Sequence, residues 1–344
     1  MASNADGIDN GTDAVHTVEP SFSSLPLREG DPPYSAWGLW GTDDHIGTLN
    51  RLTPAVVRGA ASEISEGTRF SLNWCLSKPT TPGFLRYKDA FEHTIVGEYV
   101  LDDKLVFNTQ KSTQWDGLRH FAYQQQQLFY NGTTREQIVA EGSGGSEAAL
   151  GMHWWHKAGG VAGRGFLIDY WAYAEAHGKT YDPMRPGSVS FDDLMACLGW
   201  QQQQQTDILL QPRPGDILLL RLGFSARYAH LDRDQERAVG EAWPPASYGV
   251  HQDRRLLQWL WDSKFAAVGG DSPGWEAFPV DERAGFFYHE VLLAGWGCPI
   301  AELLWLEDVA SWCCEHSRWT FFLSSCPLNV FGGVASPANM LAIV

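Results

Sequence analysis

Residues 214–224 read PGDILLLRLGF. The Pro-Gly-Asp turn opens a run of aliphatic side chains with no polar alternation. A strand covered on one face alternates apolar with polar residues; an unbroken aliphatic run marks a strand covered on both faces, as in a parallel sheet flanked by helices. RGFLIDY (164–170), FAAVGGD (265–271) and WTFFLSS (319–325) also read as strands. Helix signals fall between and around them. Thr53-Pro54 is an N-cap followed by proline at the first helical position, opening a helix that ends near Gly67. Glu147 to Lys157 reads as a helix closed by Gly159-Gly160. Ser190 caps FDDLMACLGWQQQQQ, with Asp193 at the capping-box position. His251–Ser263 is helical, with apolar residues at 256, 257, 260 and 261, and Tyr288–Trp296 and Ala301–His316 continue the series. Strand-helix alternation predicts an α/β fold in a single domain. Residues 1–20 read as a disordered leader and 21–344 as the folded domain; the glutamine tract at 201–205 reads as an exposed helix end.

The chain has 344 residues, 44% of them hydrophobic and 19% charged, which is enough apolar content to bury a large core and excludes wholesale disorder. No stretch approaches the ~20 apolar residues of a membrane helix. The polar, acidic N-terminus resembles neither a secretory nor a mitochondrial presequence, so the expected location is the cytoplasm. A net charge of −16 argues against nucleic-acid and membrane-surface partners, because both are polyanions. Cysteines 75, 197, 298, 313, 314 and 326 show no metal-binding spacing and read as reduced core residues. Sixteen tryptophans belong mainly to the core, and an excess of this size also fits an aromatic-walled pocket for a small molecule.

One G-x-S-x-G match, Gly270-Asp271-Ser272-Pro273-Gly274, follows an apolar strand. An esterase elbow needs a backbone N–H just after the serine to bind the oxyanion, and Pro273 has none. The bland reading, a turn after a strand, is the expectation. Neither a helix-opening G-x-G-x-x-G nor a phosphate-binding P-loop is present.

The segment STQWDGLRHF (112–121) gathers Gln114, Asp116 and His120 around a glycine. In an extended stretch alternate residues share a face, so Gln114 and Asp116 point the same way, joined by Gln110 if the extended segment begins that early. A carboxylate beside an imidazole can bind a metal or run acid/base chemistry; the structural reading is an ordinary Asp–His contact.

This segment resembles the signature of the cyclase-like metal-dependent hydrolase family, which includes kynurenine formamidase and isatin hydrolase, in the form His-x-Gly-Thr-His-x-Asp-x-Pro-x-His. Other stretches resemble the same family in its order: WGTDDHIGTLNRLTP (40–54), GRGFLIDY (163–170), PGDILLLRLGF (214–224), FAAVGGDSPGWE (265–276), His289 to Glu302 with its His-x-x-Leu-Leu-x-x-Gly pattern, and ASPANMLAIV (335–344). The resemblance spans roughly residues 37–344 and implies the swivelling β/β/α fold, working as a homodimer or homotetramer.

Carried over by position, the resemblance places Asp116, His289 and Glu302 among metal ligands and His120 as the catalytic imidazole. The two motif histidines correspond to Gln110 and Gln114, whose amide oxygens are poorer zinc ligands than imidazole. That donor set suits Mn²⁺ or Mg²⁺ better than Zn²⁺, or no metal at all. Two mechanisms are open. In one, a divalent ion activates water, His120 shuttles the proton and an amide, lactam or lactone is cleaved, with Asp116 and Glu302 in the catalytic set. In the other, the same four side chains form a metal-free acid/base cluster for dehydration, isomerisation or ring closure. A non-catalytic small-molecule binding protein is the remaining alternative. The substrate is expected to be a small aromatic or secondary metabolite; N-formylkynurenine is the family's best-known one.

Trp74, Phe84, Tyr87 and Trp115 are candidate pocket walls, and His45 a candidate substrate contact whose structural reading is a turn residue. His153 and His156 read as surface or pocket wall. Arg164 and Arg221 read as partners of the buried acids Asp216 and Asp169.

Overall fold

Val161–Asp169, Ile217–Arg221, Ala267–Gly270 and Ile300–Glu302 lie side by side and parallel, the unbroken apolar runs buried at the centre of a curled nine-stranded sheet. Antiparallel strands extend it on both sides: Thr320–Ser325, Met340–Ile343 and Arg69–Ser71 beyond the first, Gln114–Asp116 and Ala335–Pro337 beyond the last. The chain is thus an α/β single domain with a mixed sheet. The computed structural model describes residues 19–84, 91–141, 148–205 and 209–344.

Helices form where the caps and periodicity direct them. Thr53 Oγ1 accepts the N–H of Val56 and starts Pro54–Ala60; Ser190 Oγ accepts the N–H of Asp193 and starts Phe191–Gln204. In Arg254–Asp262 the apolar set Leu256, Leu257, Leu260 and Trp261 is the buried face. Arg164, within Val161–Asp169, pairs with Asp216 just ahead of Ile217–Arg221, and Arg221 pairs with Asp169 where those two strands end. Every tryptophan except Trp243 is buried or half-buried.

Several expectations need correction. Of the helix expected over Glu147–Lys157, Glu147 lies outside the described residues and the helical part is His153–Lys157, because Ala148–Met152 turns around Gly151, where a Cβ would meet the Gly332 backbone at 2.7 Å. Ala301–His316 is not one helix: Ile300–Glu302 is a sheet strand, and the helix begins at Glu307. Leucine- and alanine-rich sequence cannot by itself separate a buried strand from a buried helix. Tyr288–Trp296 is a π-helical segment from Glu290 to Trp296. Cys75, Cys314 and Cys326 are exposed rather than core, and all six cysteines are free. Of the expected leader, residues 1–18 lie outside the described residues. Its last two are tied down, Glu19 by Arg51 at 2.6 Å and the carbonyl of Pro20 by Trp261 Nε1–H at 2.8 Å.

Among the described residues no helix is long and apolar enough to cross a membrane. The turn over residues 40–54 packs against the chain just before Ile300–Glu302: Gly47 sits so close to Gly297 that a Cβ would come within 2.2 Å of its carbonyl oxygen. That contact fixes the end of the segment that begins after His289.

Candidate active site

The site begins with strand register. Gln114–Asp116 runs antiparallel to Ile300–Glu302, with Glu302 across from Gln114 and Ile300 across from Asp116. Side chains alternate along a strand and paired residues share a face, so Gln114, Asp116 and Glu302 project to one side and Trp115 to the other. Gly117 then turns the chain against Val334, whose carbonyl would lie 2.5 Å from any Cβ there, and the turn brings His120 back towards Asp116.

His289 reaches this face from the start of the π-helical segment, held there by Glu276. The carboxylate accepts the backbone N–H of Tyr288 at 2.8 Å and of His289 at 3.0 Å, and Oε1 lies 2.6 Å from His289 Nδ1. Gln252 donates to its other oxygen at 3.0 Å. With Nδ1 so engaged, Nε2 faces inward, 3.2 Å from Glu302 Oε1 and 3.6 Å from Asp116 Oδ2. His120 Nε2 stands 3.8 Å from the same Asp116 oxygen. The two glutamines knit the acids together: Gln114 Nε2 donates to Glu302 Oε2 and Gln110 Oε1, both at 2.8 Å, and Gln110 Nε2 donates to Asp116 Oδ1.

Burial alone would raise the Asp116 pKa. The nearby His120 and His289, with the Gln110 hydrogen bond, outweigh it and hold the carboxyl at about 2. Glu276 is likewise below its ordinary value, because the hydrogen bond and charge of His289 overcome its burial. For His289 burial acts downward, but the flanking carboxylates of Asp116, Glu276 and Glu302 lift the imidazole well above its ordinary value. Three carboxyl groups thus crowd one imidazole, an arrangement that a cation offsets.

The residues fit such a cation. One ligand atom each from Asp116, His289 and Glu302 lie within 4.8 Å of one another. Asp116 Oδ2 and Gln114 Oε1 are buried without a hydrogen-bond partner, a costly state for acceptors that coordination would relieve. Two carboxylates, an imidazole and an amide oxygen make a hard, oxygen-rich donor set. Over it opens a cleft of about 230 Å³, walled by Phe84, Phe121, Phe278 and Phe287 and floored by His120, Glu276, His289 and Glu302.

A family model described as "Putative cyclase" matches residues 35–277. The chain belongs to the cyclase family. A solved structure described as a novel cyclase is 27% identical, covers 90% of this cyclase-family chain and 99% of its own, and superposes with a TM-score of 0.75. Isatin hydrolase A from Ralstonia solanacearum shares the fold at 16% identity and TM-score 0.53, over 84% of this chain and 95% of its own. Isatin hydrolase A from Labrenzia aggregata, bound to benzyl benzoate, does so at 16% identity and TM-score 0.53, over 86% of this chain and 99% of its own. No curated protein sequence matches the chain.

In this cyclase-family chain Gln110, Gln114, Asp116, His120, His289 and Glu302 all converge, and Phe84 lines the cleft. The other candidate walls fall elsewhere. Trp115 is fully buried on the opposite strand face, its Nε1–H donating to Ser325 Oγ at 2.8 Å. Trp74 stacks on Trp305 at 5.7 Å in a satellite core cluster with Phe224 and Tyr228. His45 packs on Trp154 with ring centroids 4.2 Å apart, away from the cleft lining. Tyr87 lies outside the described residues. Sequence reading missed Glu276 and the walls Phe121, Phe278 and Phe287. Glu276 ends the FAAVGGDSPGWE stretch, and Phe121 and Phe287 flank His120 and His289 closely; proximity to those histidines was the available signal.

Proposed function

We propose that the chain is a cytoplasmic hydrolase cleaving an amide, lactam or lactone bond of a small aromatic metabolite. Its catalytic domain spans residues 21–344 and its working form is a homo-oligomer. The observation that carries this reading is the convergence of Asp116, His289, Glu302 and His120 beneath a cleft with four phenylalanine walls. Asp116, His289 and Glu302 would hold a divalent ion, Mn²⁺ or Mg²⁺ in preference to Zn²⁺, with Gln114 Oε1 as a further donor and Gln110 as the remaining candidate. When bound, such an ion supplies Lewis-acid chemistry, polarising a carbonyl and acidifying water.

The chain's own groups do the rest. His120, whose side chain is 21% exposed to the cleft, takes the proton from the attacking water and passes it to the leaving nitrogen or oxygen. Asp116, beside it, stabilises the imidazolium between those steps. Glu276 fixes the orientation of His289, and the phenylalanine walls orient an aromatic ring over the bond to be broken. A second reading rests on the amides: Gln110 and Gln114 already donate to Asp116 and Glu302, which suits a metal-free acid/base cluster.

The test assays isatin, an N-formyl arylamine and an aryl lactone by absorbance, using protein as purified, after chelator, and after Mn²⁺ is restored. Turnover on at least one, lost with chelator and regained with Mn²⁺, is expected. His120→Ala should lower kcat about 10²–10⁴-fold with metal content unchanged. Chelator-insensitive turnover would favour the second reading, and no turnover on any of the three would overturn the substrate class.

A further inference from the structure

Trp243, 71% exposed, lines a groove of about 420 Å³, larger than the cleft over Asp116, His289 and Glu302 and within the ~300–1,000 Å³ of small-molecule sites. One helix face builds it. Asp232 accepts the N–H of Gln235, whose side chain returns to the N–H of Asp232, a capping box that starts Arg233–Gly240. Gln235, Ala238 and Val239 recur at three- and four-residue spacing and so share a face, which Ala242 continues past the helix end. The two alanines leave that face open. The rest of the helix is anchored elsewhere: Glu236 pairs with Lys78 at 2.8 Å, and Gly240 abuts Thr81, whose carbonyl oxygen would lie 2.0 Å from any Cβ there. Met184 and Leu231 also line the groove, packed on the small core cluster of Phe224, Tyr228 and Leu303.

The groove's charge is opposite to that of the chain. Arg227, from the helix Phe224–Tyr228, lines it half-buried, and among the described residues no acid pairs with its guanidinium. Arg185 lies 3.7 Å from Asp182, the one carboxylate in the lining, and that pair is too exposed to hold tightly. Two guanidinium groups thus face one carboxylate, on a chain whose net charge is −16. A half-buried cation without a partner favours an anion, and an exposed indole offers an aromatic ring a face to stack on.

We propose that this groove is a second small-molecule site, binding an aromatic carboxylate with its charge on Arg227 and its ring against Trp243. The class matches the proposed reaction. When water opens an aryl lactam or lactone, its oxygen bonds to the carbonyl carbon and the C–N or C–O bond breaks. The opened molecule carries a carboxylate at one end and an amine or hydroxyl at the other. This match rests on the proposed function; the binding itself does not. Val239, Ala242 and Ala246 also line a narrow crevice that includes Gln110 and Phe84, and Phe84 is a wall of the active cleft. The groove is therefore one crevice away from the cleft, placed to hold product that has left it.

Calorimetric titration of full-length protein with benzoate, and with uncharged benzamide of the same shape, tests this. Wild type is expected to bind benzoate with a Kd below about 1 mM and benzamide about 10-fold or more weakly. Arg227→Met should weaken benzoate about 10-fold or more, while Arg227→Lys, which keeps the charge, restores most of the affinity. Trp243→Ala should weaken it about 2–10-fold, as loss of a stacked ring does. Glu302→Gln, in the active cleft, should leave this binding in place, and circular dichroism melts check the folding of each variant. Equal affinity for benzoate and benzamide, no binding by wild type, or full affinity in Arg227→Met would each overturn the site. Binding lost in Glu302→Gln but kept in Arg227→Met would place the carboxylate in the cleft and overturn the groove while leaving the proposed function intact. None of these readouts depends on turnover, so a failure of the hydrolase assays is a separate result.

Discussion

Glu276 Oε1 stands 2.6 Å from His289 Nδ1 and also accepts the backbone N–H of His289 at 3.0 Å. One oxygen thus fixes both the ring and the chain that carries it, leaving Nε2 no direction but inward, towards Asp116 and Glu302. Carboxylates placed behind a ligating imidazole set its tautomer and raise its basicity.

Glu276→Gln keeps the size of the side chain and removes its charge. Divalent-ion affinity, measured by Mn²⁺ titration calorimetry, is expected to fall about 10–100-fold while the protein stays folded. An unchanged affinity would restrict Glu276 to capping the segment after His289.

In the proposed ion site the amides at 110 and 114 would set the donor hardness. The double substitution Gln110→His with Gln114→His should raise the preference for Zn²⁺ over Mn²⁺ by roughly tenfold or more, read by competitive dialysis and elemental analysis. An unaltered metal ratio would mean that neither amide lies within reach of the ion.

Arg221 joins Asp169 at 3.0 Å to Glu307 at 2.6 Å, at the end of a central strand. Arg221→Met strands two carboxyl groups in a largely buried position. Urea unfolding should show a loss of about 3–5 kcal/mol. A loss below about 1 kcal/mol would mean that water already screens the pair.

Asp271, from the G-x-S-x-G match, is a clamp: its carboxylate accepts the N–H groups of Leu222 at 2.7 Å and Gly223 at 2.8 Å. Burial, over those hydrogen bonds, pushes its pKa up to about 6, with Glu307 adding to the rise. Between about pH 4 and 6 the folded state therefore keeps a proton that the unfolded chain releases, so this group's contribution to stability falls as pH rises through that window. The stability difference between wild type and Asp271→Asn should shrink from pH 4.5 to pH 7 by on the order of 2 kcal/mol. A difference independent of pH would place the carboxyl at its ordinary value.

What the sequence disclosed follows from which forces are local. Caps at Thr53 and Ser190, the buried face of residues 254–262 and the aliphatic run after Asp216 all act within a turn or a strand, and each element starts where its residues direct, although the helix opened by Thr53 ends at Ala60, followed by a single 3₁₀ turn to Glu63, short of the expected Gly67. Glu302 was recognised by motif yet assigned to a helix, because strand pairing with Gln114–Asp116 is a long-range contact that no local pattern encodes. Apart from Phe84, the cleft walls failed for a related reason. Trp115 neighbours two site residues in sequence, but strand alternation turns it into the core, while Phe278 and Phe287 reach the cleft from loops whose paths the sequence leaves open. Glu276 is thirteen positions from the imidazole it holds, a contact made by folding alone.

The central claim is that Asp116, His289 and Glu302 together hold a divalent cation. Electron paramagnetic resonance of free Mn²⁺, titrated against metal-stripped wild type and Asp116→Asn, tests it directly. The expected result is one tightly held Mn²⁺ per wild-type chain and none in the variant, with both proteins folded. Equal binding by the two, or no binding by wild type, would contradict it.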